Sequence, residues 1–172
     1  GRVYKNVIAS FGTEKSSYSV RAINPDHQFI EKSEIKNGRF INTLDIQNNT
    51  KNIVIGNLVV EDLFGDINPI GKYLDLNKIK FKIVGVFVER TEGSDSNEAR
   101  VIYMPISTAQ KIYGNNDYID QINLTYNPNL TEQEAIALGN NMVDKIKEIF
   151  FVAENDQSAV RARNIARENQ EI

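Results

Sequence analysis

Phosphate chemistry is the first chemistry the residues suggest. Gly65-Asp66-Ile67-Asn68-Pro69-Ile70-Gly71-Lys72 sets two glycines before a lysine, the ingredients of a loop that cradles phosphate with backbone N–H groups. The match fails on three counts. The glycines stand one residue too far apart, Tyr73 replaces the hydroxyl residue that would hold Mg2+, and Pro69 removes a backbone donor. The segment reads instead as a turn between a helix and a strand. His27 is the single histidine. It has no serine, cysteine or carboxylate at a motif spacing and reads as a surface residue beside Asp26. Glu61 and Asp62 are adjacent, so on a helix they point about 100° apart and form a solvated face rather than a metal chelate. Asp66, Asp75, Asp95 and Glu98 lack the spacing of a calcium loop. Arg39, directly after Gly38, could hold an anion. The stronger reading is that it ties a turn to nearby carbonyls or to a carboxylate such as Asp45. No catalytic residue, metal or cofactor is expected.

Composition narrows the remaining classes. The 172 residues contain no cysteine, which removes disulfides, thiol catalysis and zinc–thiolate sites. A net charge of −3 argues against nucleic acid as a partner, and equally against a polybasic membrane-binding patch. No apolar run approaches the ~20 residues that span a bilayer. The chain opens Gly-Arg-Val-Tyr without an initiator Met, so it reads as a piece excised from a longer protein, with Gly1 left by cloning.

Hydrophobic periodicity supplies the elements. Val3–Ala9 and Tyr18–Ile23 are expected to be strands of a hairpin turning at Gly12-Thr13, since Tyr18, Val20 and Ala22 alternate with polar neighbours. Asp26 is placed as the cap of a short helical turn to Ile30. Asn37-Gly38 reads as a turn, and residues 42–52 as a loop by composition. Ile53–Gly56 reads as a buried strand, followed by a short helix capped by Asn57 and stopped at Gly65. Further strands are expected at 73–76, 80–88, 100–104 and 122–126, with Thr91–Ala99 an exposed loop between two of them. Capping boxes at Ser107–Gln110 and Thr131–Glu134 open two helices. The second carries Ile136, Met142, Val143, Ile146 and Ile149 on one face, and a strand at 150–152 follows it. Residues 156–172 form a polar helical tail.

Taken in order, these signals resemble the periplasmic core domain of MacB-like ABC transporter permeases. The matching pieces are Gly38-Arg39-Phe40 with Asp45 downstream, Ile53-Val54-Ile55-Gly56, Leu63-Phe64, Pro69-Ile70-Gly71-Lys72, Phe81–Val86 with Gly85, and Tyr103-Met104-Pro105 before Thr108-Ala109. Phe151–Asn155 is similar to the segment that precedes the family's second transmembrane helix. The likeness runs over most of residues 2–155 and is strongest from 38 to 109. The βα part that opens the family's domain has no counterpart before Arg2.

The resemblance implies an α+β fold with a β-rich central lobe, residues 38–114, and a βαβ-containing lobe from 2–37 and 115–155. The tail at 156–172 would lead toward a transmembrane helix. It implies the non-catalytic extracytoplasmic part of a bacterial inner-membrane permease, which passes ATP-driven motion to substrate efflux or lipoprotein release. Its partners would be the cognate ABC ATPase domain or subunit, a second permease copy, and a periplasmic adaptor or lipoprotein. Gly38, Arg39, Gly56, Phe64, Pro69, Gly71, Gly85 and Pro105 then carry structural motif roles. Thr91, Glu92, Gly93, Ser94, Asp95 and Ser96 form the candidate partner-contact loop. The competing reading is a small β-rich ligand-binding or adaptor module unrelated to transport, suggested by the short strands between Ile53 and Met104.

Overall fold

The computed structural model describes residues 2–30, 33–88, 100–114 and 129–149. Strands β1 (Arg2–Phe11) and β2 (Glu14–Ile23) form the expected hairpin, in register from Arg2 opposite Ile23 to Phe11 opposite Glu14. Helix α1 (His27–Ile30) and strand β3 (Glu34–Gly38) follow. Next come α2 (Thr43–Gln47), β4 (Asn52–Gly56) and α3 (Asn57–Leu63). The series continues with β5 (Tyr73–Leu76), β6 (Ile79–Val88), β7 (Val101–Pro105), α4 (Ile106–Tyr113) and α5 (Glu132–Ile149).

The strands close on themselves. Their order is β3-β6-β4-β7-β2-β1-β5, and β5 also pairs with β6. The ring β1-β2-β7-β4-β6-β5 is therefore a six-stranded barrel, with β3 attached to β6 beyond the end of β5. Closure satisfies strand edges internally. The pairings β2–β7 and β4–β6 are parallel and the others antiparallel.

Alternation places the core. Val7, Ala9, Val20, Ile55, Leu74, Leu76, Phe81, Ile83, Ile102 and Met104 belong to one buried cluster, which α3 and α4 join through Val59, Leu63 and Ala109. The opposite face of the sheet carries a second cluster, in which Val54, Phe87, Val101 and Tyr103 are covered by Phe40 and Ile41. The two clusters interleave along β6 because of a bulge. Ile53 faces Ile83 but Val54 faces Gly85, so Val84 is an extra residue and the side-chain alternation changes phase there. Phe81 and Ile83 thus lie in the first cluster with Val86, while Phe87 lies in the second.

Several local expectations change. Asn37-Gly38 ends a strand rather than making a turn, because β3 pairs with β6 up to Gly38 opposite Gly85. Residues 42–52 contain α2, opened by a reciprocal capping box between Asn42 and Asp45. The N-cap of α3 is Gly56, since β4 extends to that residue and Asn57 is already helical. Pro105 precedes α4, so Ser107 lies inside the helix and its hydroxyl donates to the Ile46 carbonyl (2.8 Å) instead of capping. His27 is buried, packed edge-on against the Tyr103 ring at 5.1 Å, rather than on the surface.

Two compact units are distinguished, Gly1–Asn123 and Leu124–Ile172. The second contains α5. Its capping box is formed, with the Thr131 N–H and hydroxyl donating to Glu134 Oε2 at 2.9 and 2.7 Å. Ile136 is exposed while Ala135 is buried, so the covered face runs through 135, 139, 142 and 143 and excludes Ile136. The expected strands at 122–126 and 150–152 and the 156–172 tail lie outside the described residues. No helix among the described residues is long and apolar enough to cross a membrane.

Candidate functional site

Four of the eight motif residues, Gly38, Arg39, Gly71 and Gly85, meet at the β6 bulge. Gly38 (φ +74°) stands opposite Gly85, and the Arg39 N–H donates to the Val84 carbonyl at 2.9 Å. A side chain on Gly38 would run into the Val84 carbonyl oxygen, and one on Gly85 into the Arg39 carbonyl oxygen. On the same stretch of β6, the Gly71 N–H donates to the Ile83 carbonyl (2.8 Å) and the Ile83 N–H to the Lys72 carbonyl (2.9 Å). Gly38, Arg39, Gly71 and Gly85 are thus one junction, which fastens the segments before β5 and after β3 to three consecutive residues of β6.

Arg39 leads from this junction to a buried carboxylate. Its guanidinium grips Asp45 with both terminal nitrogens, at 2.6 Å to Oδ2 and 3.1 Å to Oδ1, and also donates to the Phe40 carbonyl at 2.9 Å. The Asn42 N–H donates to Asp45 Oδ2 (3.0 Å), and the Thr50 hydroxyl and Asn52 amide donate to Oδ1 at 2.8 and 2.7 Å. Burial on its own would raise the Asp45 carboxyl. The bonds from Arg39, Asn42, Asn52 and Thr50 together outweigh it and hold the group at about 2. The carboxylate is 2% exposed. Every acceptor direction is occupied, so it has no capacity left for a metal or for general-base work. The same pairing engages Arg39 and ties the segment after β3 to α2. Thr108 extends the network by donating to the Thr50 carbonyl at 2.7 Å.

The other motif residues sit apart. Gly56 ends β4 opposite Phe87. Phe64 is buried at the end of α3 and stacks on Phe11, with centroids 4.1 Å apart. Pro69 lines an open hollow of about 300 Å3 with Asn37, Asn57, Glu61 and Val86. Pro105 ends β7 beside Ile23. The 91–96 loop lies outside the described residues. Among the described residues no three His, Cys, Asp or Glu side chains gather as a metal site.

Sequence reasoning missed Thr50, Asn52 and Thr108 as members of the Asp45 network. The signal for α2 was present as the Asn42-x-x-Asp45 pattern, but the asparagine-rich composition around it suggested a loop. Asp62 is likewise more than a solvated carboxylate, since it accepts from the Tyr18 hydroxyl (3.0 Å) and from Arg100 (2.7 Å).

The fold is thus a closed six-stranded barrel whose outer face carries a second apolar layer, fastened at the Gly38–Gly85 junction. Residues 1–140 match the family model described as the MacB-like periplasmic core domain, and the chain belongs to that family. It is 30% identical over 112 residues to the macrolide export ATP-binding/permease protein MacB of Chlorobium phaeobacteroides, covering 65% of this chain and 17% of the relative. It is 26% identical over 155 residues to the MacB of Chlorobaculum tepidum, covering 90% of this chain and 23% of the relative. The chain therefore spans no more than about a quarter of these relatives. The extracellular domain of the noncanonic ABC-type transporter YknZ from Gram-positive bacteria shares the fold with a TM-score of 0.71 at 18% identity, covering 89% of this chain and 75% of that one. The periplasmic region of MacB from Actinobacillus actinomycetemcomitans does so with a TM-score of 0.67 at 17% identity, covering 86% and 64%. These structural matches support the α+β fold class.

Proposed function

We propose that this chain is the non-catalytic extracytoplasmic domain of an ABC transporter permease of a bacterial inner membrane, and that it passes ATP-driven motion to efflux or lipoprotein release. The family match over residues 1–140 carries the reading. The junction at Gly38, Arg39 and Gly85 supports it, because a part that transmits displacement must resist deforming, and interdigitated backbone with no room for side chains does so. The saturated Asp45 supports the non-catalytic half. In this reading the ATPase is a separate domain or subunit, a second permease copy completes the transporter, and an adaptor or lipoprotein meets the domain outside the membrane. Residues Thr91–Ser96 are assigned to that contact.

The full-length gene should encode apolar segments of about 20 residues on either side of this region. A reading frame without them would overturn the proposal. Replacing residues 91–99 by a Gly-Ser linker in the full-length protein should preserve expression and folding while impairing export. Unchanged export would remove the loop from the partner contact.

A further inference from the structure

The outer wall of β1, β5 and β6 carries a charge pattern that the mildly acidic total conceals. Leu74, Leu76, Phe81 and Ile83 are buried, so Tyr73, Asp75, Lys80 and Lys82 alternate onto the outside. Cross-strand register sets Tyr73 opposite Lys82 and Asp75 opposite Lys80. Ser10 pairs with Asp75 on one side and Lys15 on the other, which extends the wall across β1 to β2. Lys78 sits at the β5–β6 turn. Lys15, Lys78, Lys80 and Lys82 are exposed, and none forms an ion pair among the described residues. The acids nearby are Glu14 and Asp75, and Asp75 already accepts the Lys78 backbone N–H at 2.7 Å. Two large apolar side chains lie bare on the same wall, Ile8 at 58% and Tyr73 at 56% exposure. An open hollow of about 370 Å3 lies between Ile8, Ser10, Lys15, Asp75, Asn77 and Lys78.

Lys78 provides a second, independent observation. Asn77 and Lys78 both have positive φ, +48° and +71°. This is the geometry in which Asn-Gly is preferred and a β-carbon is strained. The turn needs Asn77, whose side chain accepts from the Ile8 N–H (2.8 Å) and whose N–H donates to the Ile8 carbonyl (3.0 Å). It does not need a lysine side chain. A residue held in a strained conformation that the fold could relieve with glycine points to a use for its charge.

We propose that this wall is a docking face for an anionic bilayer surface, with the hollow between Lys15 and Lys78 receiving a phosphate-bearing headgroup. Lysine rather than arginine decides between lipid and protein. Arginine reads carboxylates through two nitrogens and is enriched at protein interfaces, where lysine is depleted. Lysines beside an exposed tyrosine and an aliphatic residue suit the headgroup layer, which attracts diffuse positive charge and takes up the aromatic ring. The proposal is independent of the transport reading, and either can fail alone.

The test is co-sedimentation of the 172-residue chain with phosphatidylcholine vesicles and with vesicles of phosphatidylcholine and phosphatidylglycerol. Binding should require phosphatidylglycerol and vanish in molar salt, where screening acts within about 3 Å. The double variant K80Q/K82Q should partition roughly 25-fold less. Lys78→Gly should weaken binding about fivefold while its unfolding midpoint stays or rises. Lys111→Gln, on α4, should bind as the unchanged chain does. Equal partition onto neutral and anionic vesicles, or equal loss in K80Q/K82Q and Lys111→Gln, would overturn the proposal. So would binding of poly-glutamate that the wall variants abolish without any vesicle binding, which would assign the face to an acidic protein.

Discussion

Gly38 and Gly85 stand directly opposite one another where β3 meets β6, each closed against the other strand's backbone. The arrangement explains why the chain carries glycine at both places for different reasons. Gly38 needs a left-handed backbone and lacks space, whereas Gly85 lacks space alone. It also explains how β6 can serve β4, β5 and β3 together, since the bulge at Val84 turns its carbonyl to the Arg39 N–H.

Gly85→Ala and Gly38→Ala should therefore cost about 3 kcal/mol or more, because backbone rather than a yielding side chain stands in the way. Gly65→Ala and Gly71→Ala should cost about 1 kcal/mol, since both have positive φ but open space around the missing β-carbon. Urea denaturation of the four variants measures the difference. Equal losses across the set would show that close approach at the junction contributes nothing.

Asp45 should make stability depend on pH on the acid side. Its folded-state value of about 2 lies below the ordinary 3.8, so the stabilisation is complete above 3.8 and is lost as pH falls toward 2. The amount is about 2 kcal/mol at neutral pH. Asp45→Asn should be less stable than the natural chain at neutral pH, and the gap should close below pH about 3. A gap that persists undiminished in acid would mean that shape, not charge, is what Asp45 supplies.

Much of the barrel could be read from residues because its interior obeys a period of two. Tyr18, Val20 and Ala22 alternate, as do Leu74 with Leu76 and Phe81 with Ile83, and each pair is buried. Glycine stops at Gly65 and Gly114 end α3 and α4, and both residues have positive φ. What failed depends on residues distant in sequence. Asn37-Gly38 has the composition of a turn, and only pairing with β6 makes it a strand end. His27 is buried because Tyr103, 76 positions later, packs on it. The lysine wall is invisible in a net charge, since it exists only once β5 and β6 are set side by side. Of the motif residues, Arg39 was paired with Asp45 from proximity in sequence alone. Thr108 could not be, because its contact with Thr50 crosses 58 residues.

Phe64 and Phe11 should behave as a coupled pair. Their rings stack at 4.1 Å with planes 28° apart, joining the end of α3 to the end of β1. Phe64→Ala should cost about 3 kcal/mol, and a double-mutant cycle with Phe11→Ala should return about 1 kcal/mol of coupling. Strict additivity would show that each ring is held by the core and not by the other.

Tyr18 gives the matching prediction at the alkaline end. Its hydroxyl is raised to about 12, first by burial and then by the hydrogen bond to Asp62 and the charge of that carboxylate, against smaller opposing effects from Ser16 and Arg100. The neutral phenol is thus favoured in the folded chain. Stability from this site is complete below pH 10 and is lost as pH rises from 10 toward 12. In an ultraviolet titration of the tyrosines, Tyr18 should ionise late, as should Tyr113, which burial also raises. Asp62→Asn keeps an acceptor for the Tyr18 hydroxyl but removes the negative charge, so the Tyr18 phenol should move back toward its ordinary value, while burial keeps it above that value and Tyr113 stays where it was. A titration unchanged by Asp62→Asn would leave burial as the whole cause, and the contact from α3 to β2 would then be a hydrogen bond without electrostatic consequence.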